Sequence, residues 1–231
     1  MKRITSMIDQ LTAIDTDLFL TLNGIHNTYW DYFMSAFSGK LIWIPMYVSI
    51  AYLLFKNLDW KEALLFVIAI GLAAGLSDMT CAKAIRPFAE RLRPSNPDNE
   101  ISILVHIVDG YRGGAFGFPS CHAANSFALA ISTILIFRRP FLSSCILLWA
   151  IANSYSRIYL GVHYPGDLLF GAIVGTLWAI ITTAAAKLLC KRALYYEIGK
   201  RKFGSTPVAA SVFLTTTAAI AIYSAIMTFA L

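Results

Sequence analysis

The sequence has little charge for its length. Of its 231 residues, 14% are charged and 58% are hydrophobic, whereas soluble domains usually carry about 25% charged residues. The mean hydropathy is +0.64, and the apolar residues fall in blocks close to the ~20 residues that cross about 30 Å of hydrocarbon. The shortage of charge therefore excludes an ordinary soluble domain and predicts an all-α, polytopic membrane helical bundle.

Closely spaced cysteines and clustered carboxylates are also lacking. The four cysteines, Cys81, Cys121, Cys145 and Cys190, lie in or beside apolar segments and form no close pair. This spacing argues against a disulfide framework and against a zinc site. The sequence has no carboxylate cluster to hold a divalent cation. We therefore expect neither a metal nor another cofactor.

The net charge of +6 does not indicate a nucleic-acid partner in so apolar a chain. Lysine and arginine are enriched in cytoplasmic loops and near anionic headgroups of membrane proteins, so we predict membrane lipids as partners. The stretch MKRITSMIDQLTAIDTD has acids where a signal peptide has its apolar run, which predicts no cleaved targeting segment. The oligomeric state is left open.

Six apolar segments predict about six transmembrane helices in a single domain, residues 1–231. They run over about 41–55, 62–83, 119–137, 141–159, 167–187 and 207–230, and the first can extend back through 33–39. Residues 4–37 mix apolar, acidic and aromatic side chains. This mixture is typical of amphipathic helices at a membrane interface, so we predict that residues 1–40 form an interfacial segment.

The basic residues predict the orientation of the helices. Ten of the nineteen lysines and arginines lie in three connections, KNLDWKE, RRP and KLLCKRALYYEIGKRK. The positive-inside bias places these connections in the cytoplasm. The 86–118 and 157–167 loops then share the opposite face of the membrane.

Side chains suited to phosphate chemistry concentrate in these two loops. The candidates are Arg86, Arg91, Arg93, Ser120, His122, Arg157, His163 and Asp167. An arginine presents a planar fork of donors that matches phosphate oxygens. A helix that begins at Pro119 would add free backbone N–H groups, and two histidines could act as acid, base or nucleophile.

The spacing around His163 predicts a pair of interacting side chains. Pro165 and Gly166 suit the central positions of a type II turn, which would fold Asp167 back toward His163. A carboxylate on one ring nitrogen fixes the tautomer and leaves the other nitrogen free to attack. Helix capping is an alternative role for Asp167, since aspartate is a favoured N-cap.

These stretches resemble the signature of the type 2 phosphatidic acid phosphatase (PAP2) superfamily, and the chain is similar to its membrane lipid phosphatase branch. That signature is Lys-x6-Arg-Pro, Pro-Ser-Gly-His and Ser-Arg-x5-His-x3-Asp. The third element matches throughout, at Ser156, Arg157, His163 and Asp167. The first two elements each carry one departure, Arg86 in place of lysine and Cys121 in place of glycine.

The resemblance implies a role for each matching position. His163 would attack phosphorus and form a phosphohistidine, Asp167 would orient His163, and His122 would serve as acid and then base. The remaining implied positions, which would bind the phosphate oxygens, are Arg86, Arg93, Ser120, Cys121 and Arg157. Arg86 would keep the charge with a wider group, and Cys121 would be strained only if its position required positive φ.

Residues outside the signature have more ordinary expected roles. We predict that Arg91 is a solvated or lipid-facing charge and that His26 and His106 are structural. Asp78 is either functional or paired with a motif arginine. The glycine-rich GYRGGAFGF stretch predicts a flexible loop at the site entrance.

The resemblance implies a metal-independent membrane phosphatase whose substrate is a lipid phosphate or diphosphate. Undecaprenyl diphosphate and lipid A lead, and phosphatidic acid and phosphatidylglycerol phosphate stay open. A vanadate-dependent haloperoxidase-like enzyme and a non-catalytic lipid-binding or transport relative are the alternatives. The expected location is a bacterial inner membrane, with the site facing the periplasm.

Overall fold

The computed structural model describes residues 2–190 and 206–230. Over these residues the chain forms nine α-helices: α1 Lys2–Asn23, α2 Thr28–Phe37, α3 Ile44–Asn57, α4 Trp60–Met79, α5 Arg86–Ala89, α6 Cys121–Phe137, α7 Pro140–Tyr159, α8 Pro165–Leu189 and α9 Thr206–Phe229. The all-α prediction is confirmed. Most of the basic stretch predicted to follow α8 in the cytoplasm lies outside the described residues.

Long apolar helices confirm an integral membrane protein but not the number of six spans. In the described part of the chain, three helices are long and apolar enough to cross a membrane: Trp60–Ala89, Pro165–Leu189 and Pro207–Phe229. A fourth span arises if Thr28–Phe37 and Leu41–Asn57, which meet at a 66° bend, count as one. The helix α6 is apolar but has only 17 residues. Six spans therefore remain a prediction.

The spanning helices turn large apolar side chains outward. On α4, Leu64, Ile68 and Leu72 are 42%, 47% and 52% exposed. They recur every four residues, so they lie on one face of the helix. Small or aromatic residues such as Ala69 and Phe66 are buried on the other face. An apolar face of this extent requires lipid as its neighbour.

The closest helix pair of the bundle is α6 and α8. A Cβ atom added at Gly171 would lie 2.3 Å from the carbonyl oxygen of Ser120, and one at Gly175 would lie 2.0 Å from that of Ala124. Two glycines four residues apart thus remove the side chains that would separate the backbones. The backbone N–H of Ser120 also donates to the carbonyl of Asp167 at 3.0 Å. Consequently the N-termini of both helices meet at one point.

The loop between α5 and α6 folds over this meeting point. Leu92 and Phe116 form an antiparallel bridge, Arg93 N–H donates to the Ala115 carbonyl at 3.0 Å, and Gly117 N–H donates to the Arg91 carbonyl at 2.9 Å. The glycine-rich stretch is therefore tied down by backbone hydrogen bonds, which corrects its prediction as a flexible entrance loop.

The N-terminal segment forms two helices, as predicted. On α1, Leu11 and Ile14 are 64% and 63% exposed, whereas Phe19 is fully buried and packs edge-on against Tyr164. One face of α1 is thus apolar and uncovered, while the other contacts the body of the protein. An interfacial position remains a prediction, and α2 belongs to the bent pair that could form a span.

Candidate active site

His163 and Asp167 form the buried centre of the site. His163 Nδ1 lies 3.2 Å from Asp167 Oδ2, and the two side chains are 4% and 0% exposed. The predicted contact is present, but the predicted turn is wrong. Pro165 and Gly166 form the first turn of α8, so helical geometry returns Asp167 to His163. Asp167 is not the N-cap; its Oδ2 accepts the N–H of the N-cap residue, Tyr164, at 3.1 Å.

Arg93 fixes the tautomer of His163. Its Nη1 lies 2.8 Å from His163 Nε2 and 2.9 Å from the carbonyl of Val162. Since a guanidinium only donates hydrogen bonds, Nε2 must present its lone pair, and the ring proton therefore resides on Nδ1, facing Asp167. Burial, followed by the charge of Arg93, holds the pKa of His163 well below its usual value. His163 is thus a neutral imidazole at neutral pH.

Glycines let the loop backbone approach this pair closely. A Cβ atom at Gly117 would lie 3.0 Å from Asp167 Oδ2 and 3.4 Å from His163 Nδ1. Gly113 has a φ of +70°, and a Cβ atom there would lie 3.2 Å from Arg93 Nε. The loop therefore excludes solvent from the back of the imidazole.

The two departures from the family signature contact each other. Arg86 Nη2 donates to the carbonyl of Pro119 at 2.8 Å and to Cys121 Sγ at 3.1 Å. Cys121 is the first residue of α6, and the non-glycine residues with positive φ are Glu90, Asp109 and Arg138 among those described. Cysteine at this position therefore carries no backbone strain, and its sulfur gives the wider arginine an acceptor.

Arg157 approaches the site from the end of α7. It is 8% exposed, and its guanidinium donates to Ser38 Oγ and, at 3.4 Å, to the hydroxyl of Tyr111. Arg86, Arg93 and Arg157 each have a buried Nε without a hydrogen-bond partner among the described residues. Three buried cationic donors of this kind suit an anion with several oxygens, such as phosphate.

Ser120 and the start of α6 supply further donors. The predicted helix start at Pro119 is wrong by two residues, because α6 begins at Cys121 with Ser120 as its N-cap. The Ser120 hydroxyl accepts the N–H of Ala123 at 3.4 Å. A hydroxyl that accepts this bond can still donate its own hydrogen. The first N–H groups of α6 also point out of its N-terminus, where they can donate to an anion.

His122 occupies a different environment, on the inner face of α6. Its Nε2 lies 3.3 Å from Asn153 Oδ1, and Asn153 Nδ2 donates to Ser126 Oγ at 2.8 Å. Because the amide nitrogen is used by Ser126, the amide oxygen faces His122, so Nε2 carries the ring proton. Neither Asn153 nor Ser126 was predicted, since no sequence motif marks two partners on different helices.

A cavity of about 410 Å³ extends from His122 into the bundle. Polar side chains border it near His122, among them Ser38, Lys40 and Asn153, and apolar ones such as Trp43 and Leu54 line the rest. Lipid-binding sites have this combination of a long apolar wall and a few polar groups at one end. The cavity can therefore accept a hydrocarbon chain whose polar end faces His122.

Arg91 and Asp15 belong to the site, although neither was predicted to. Arg91 Nη1 lies 3.1 Å from Asp167 Oδ1 and 2.7 Å from Asp15 Oδ2. The expectation of a solvated or lipid-facing Arg91 is wrong. No sequence motif marks this contact, because Asp15 lies on α1, far from the motifs along the chain.

Other titratable side chains lie apart from the motif residues. His106 pairs with Asp31 at 2.8 Å and stacks on His26 with ring centroids 3.7 Å apart, which confirms the structural prediction for both histidines. Asp78 accepts from Asn125 Nδ2 at 3.4 Å and forms no ion pair with an arginine in the described residues. Over the same residues, no group of three or more His, Cys, Asp or Glu side chains could hold a metal ion.

Known proteins resemble both the sequence and the fold. Lipid A 4′-phosphatase of Bacteroides thetaiotaomicron is 61% identical over 169 residues, which cover 73% of this chain and 75% of that protein. Lipid A 4′-phosphatase of Porphyromonas gingivalis is 37% identical over 172 residues, covering 74% and 72%.

The crystal structure of a transmembrane PAP2 type phosphatidylglycerolphosphate phosphatase from Bacillus subtilis has a similar fold. Its TM-score is 0.57 at 22% identity, covering 79% of this chain and 89% of that one. The model of the PAP2 superfamily matches residues 62–190, a range that contains all three motif stretches. The chain therefore belongs to the PAP2 superfamily.

Proposed function

We propose that this protein is an integral membrane phosphatase that removes the phosphate from a lipid phosphate, with the 4′-phosphate of lipid A as the leading substrate. The observation that carries the proposal is the arrangement around His163. Its Nε2 lone pair faces the buried Arg93, and its Nδ1 proton is held by Asp167. The 61% identical relative supports the choice of lipid A.

In the proposed reaction, His163 Nε2 forms a bond to phosphorus as the bond from phosphorus to the lipid oxygen breaks. Arg93 donates to Nε2 before substrate arrives, and a phosphate oxygen that takes over this donor frees the lone pair. Arg86, Arg157, Ser120 and the N–H groups near Cys121 bind the other oxygens. Donors placed in advance commonly lower such barriers by about 3 kcal/mol each.

His122 handles the protons in this proposal. Its Nε2–H is held by Asn153, so Nδ1 serves the leaving group. His122 takes a second proton from solvent on Nδ1, and this imidazolium gives that proton to the leaving lipid oxygen. In the second step His122 takes a proton from water, the water oxygen bonds to phosphorus, and the bond to His163 breaks to release phosphate. The 410 Å³ cavity beside His122 accommodates apolar parts of the substrate during the first step, after which the lipid alcohol leaves.

We propose that residues 1–231 act as one domain in a bacterial inner membrane, with the site facing the periplasm. The basic α6–α7 connection and the end of α8 lie away from the motif loops, which agrees with a cytoplasmic position for the basic connections. The two named relatives are bacterial. Labelling of single cysteines introduced at exposed loop positions would test this orientation.

The alternatives fit the site less well. A haloperoxidase-like activity requires a related anion pocket but is typical of soluble relatives, whereas this chain has spanning helices. A non-catalytic lipid-binding or transport relative would not need His122 and His163, each held by a dedicated partner.

The proposal is tested by phosphate release from purified lipids. The purified protein is assayed in detergent with lipid A carrying a 4′-phosphate, undecaprenyl diphosphate, phosphatidic acid and phosphatidylglycerol phosphate, each with and without EDTA. We expect the fastest release from lipid A and no effect of EDTA. Preference for another lipid would reassign the substrate, EDTA inhibition would indicate a metal, and no release from any lipid would refute the activity.

A further inference from the structure

Asp167 depends on a second interaction besides its contact with His163. Its Oδ2 already accepts from His163 Nδ1 and from the N–H of Tyr164. Its Oδ1 has Arg91 Nη1 as a partner at 3.1 Å. The carboxylate is fully buried, and a buried carboxylate stays ionised only if a cation and hydrogen bonds replace its hydration.

The position of Arg91 is set by α1. Asp15 Oδ2 lies 2.7 Å from Arg91 Nη1, while Asp15 Oδ1 accepts the N–H of Gly166 at 2.7 Å. The guanidinium also lies over the ring of Tyr164, 3.8 Å from its centroid. Asp15 therefore connects the loop that carries Arg91 to the first turn of α8 that carries Asp167.

Gly166 permits this approach. A Cβ atom at Gly166 would lie 2.7 Å from Asp15 Oδ2, so any other residue would displace the Asp15 carboxylate from this position. Neither Asp15 nor Arg91 occupies a position of the three motifs, and Asp15 lies outside the residues matched by the superfamily.

We propose that Arg91 and Asp15 are positioning residues for the His163–Asp167 pair and that α1 is thereby part of the active site. This inference rests on the proposed phosphatase function. Arg91 keeps Asp167 ionised and oriented. Asp167 can then accept the hydrogen bond from His163 Nδ1–H, and the lone pair on Nε2 remains available to attack phosphorus. Asp15 holds Arg91 in place through the second ion pair of its guanidinium.

The test compares Arg91→Ala, Arg91→Lys and Asp15→Asn with the unaltered protein. We expect Arg91→Ala to lower kcat by about 10- to 100-fold, the range typical of groups that orient a reacting side chain, with KM changed less than threefold. Arg91→Lys should recover most of this loss, because it restores a cation within reach of Asp167.

The pH profile separates positioning from general damage. The charged and titratable groups around the Asp167 carboxylate are Asp15 on α1, Arg91 and Arg93 in the loop, and His163 and Tyr164 before α8. Without Arg91, the carboxylates of Asp15 and Asp167 face each other, and their repulsion favours protonation of Asp167. The acid limb of the pH profile of kcat should therefore move to higher pH. In Asp15→Asn, Asp167 keeps its cation and loses a neighbouring negative charge, so that limb should not move upward.

Arg112→Ala is the matched control, because Arg112 lies in the same loop and donates to the carbonyl of Ser95 instead. It should leave kcat, KM and the pH profile unchanged. Full activity of Arg91→Ala would overturn the proposal. An equal loss of activity in Arg91→Ala and Asp15→Asn, with no shift of the pH profile in either, would also overturn it. If Arg91→Ala does not fold, the same profiles of Arg91→Lys and Asp15→Asn decide, and an acid limb that rises in Asp15→Asn refutes it.

A readout without catalysis distinguishes this proposal from the phosphatase function. Nitrogen-15 NMR of labelled histidine reports the tautomer of His163, which is identified by its absence in His163→Ala. Because Arg93 occupies Nε2 in both proteins, we expect the Nδ1–H form in the unaltered protein and in Arg91→Ala, but the Nδ1–H proton resonance, which reports the hydrogen bond to Asp167, should move upfield in Arg91→Ala. If the unaltered protein is inactive but Arg91→Ala shows this shift, the function alone is refuted, whereas an unchanged Nδ1–H resonance in Arg91→Ala of an active protein would refute the positioning role alone.

Discussion

The two histidines of the site lie in contrasting surroundings. His163 is 3% exposed and contacts two charged groups, Asp167 and Arg93. His122 is partly exposed and has a neutral partner, Asn153, beside an apolar cavity. A nucleophile benefits from a fixed tautomer and a fixed direction. A proton carrier must instead serve two steps of opposite direction, and the neutral amide of Asn153 occupies only Nε2, which leaves Nδ1 available for both.

Removal of His163, the histidine with charged partners, should have the largest effect on activity. We expect His163→Ala to reduce phosphate release by roughly 10⁴- to 10⁶-fold, the loss typical of a missing nucleophile. His26→Ala is the control, because His26 stacks on His106 away from the site and should retain full activity. Near-normal turnover of purified, folded His163→Ala would show that His163 is not the nucleophile.

Removal of His122, the histidine with a neutral partner, should have an effect on activity that depends on the leaving group. We expect His122→Ala to slow lipid A dephosphorylation by about 10²- to 10⁴-fold, as loss of a general acid does. The loss should be much smaller for a lipid-tailed aryl phosphate, whose leaving oxygen needs no proton. Measurement of kcat for both substrates checks this, and an equal loss for both would contradict the acid role.

A weaker change should loosen His122 without removing it. In Asn153→Ala, His122 Nε2 and Ser126 Oγ lose their partner, so we expect about a 10-fold lower kcat and a loss of ~1–3 kcal/mol of stability. Ser126→Ala, which keeps the contact between Asn153 and His122, should lose less activity. If Ser126→Ala were the more impaired variant, Asn153 would not act through His122.

The smallest expected effect concerns pH and stability. The lowered pKa of His163 means that the unfolded chain binds a proton below about pH 6.5, the usual value, while the folded protein does not. Stability is therefore fully present above pH 6.5 and declines as the pH falls below it. We expect Tm to drop by a few degrees between pH 7.5 and 5.5, and less in His163→Ala; an equal drop in both would contradict a neutral His163.

The same contrast explains which parts of the site could be predicted from the sequence. His163 and Asp167 are four residues apart, so one helical turn connects them, and their contact was predicted even though the turn type was wrong. Asn153 is 31 residues from His122 and lies on another helix, and Asp15 is 76 residues from Arg91. Such contacts depend on how helices pack, which hydrophobic periodicity does not specify.

The number of spans was hard to predict for a related reason. The helix α7 carries Asn153, Ser154, Ser156 and Arg157 at its buried face, because it forms a wall of the site. Polar residues that serve chemistry lower the apolar signal of a segment. The bend between α2 and α3 has a similar effect, since it divides one apolar stretch into two pieces.

The contact of Gly171 with Ser120 and of Gly175 with Ala124 limits how this enzyme can adapt. The rings of His122 and His163 lie at the N-termini of these two helices, whose backbones leave no room for a side chain at Gly171 or Gly175. The site therefore cannot be enlarged between α6 and α8 for a bulkier lipid without moving the rings of His122 and His163 apart. Bulkier substrates must therefore be accommodated across the molecule, where side chains of α3 and α4 border the cavity.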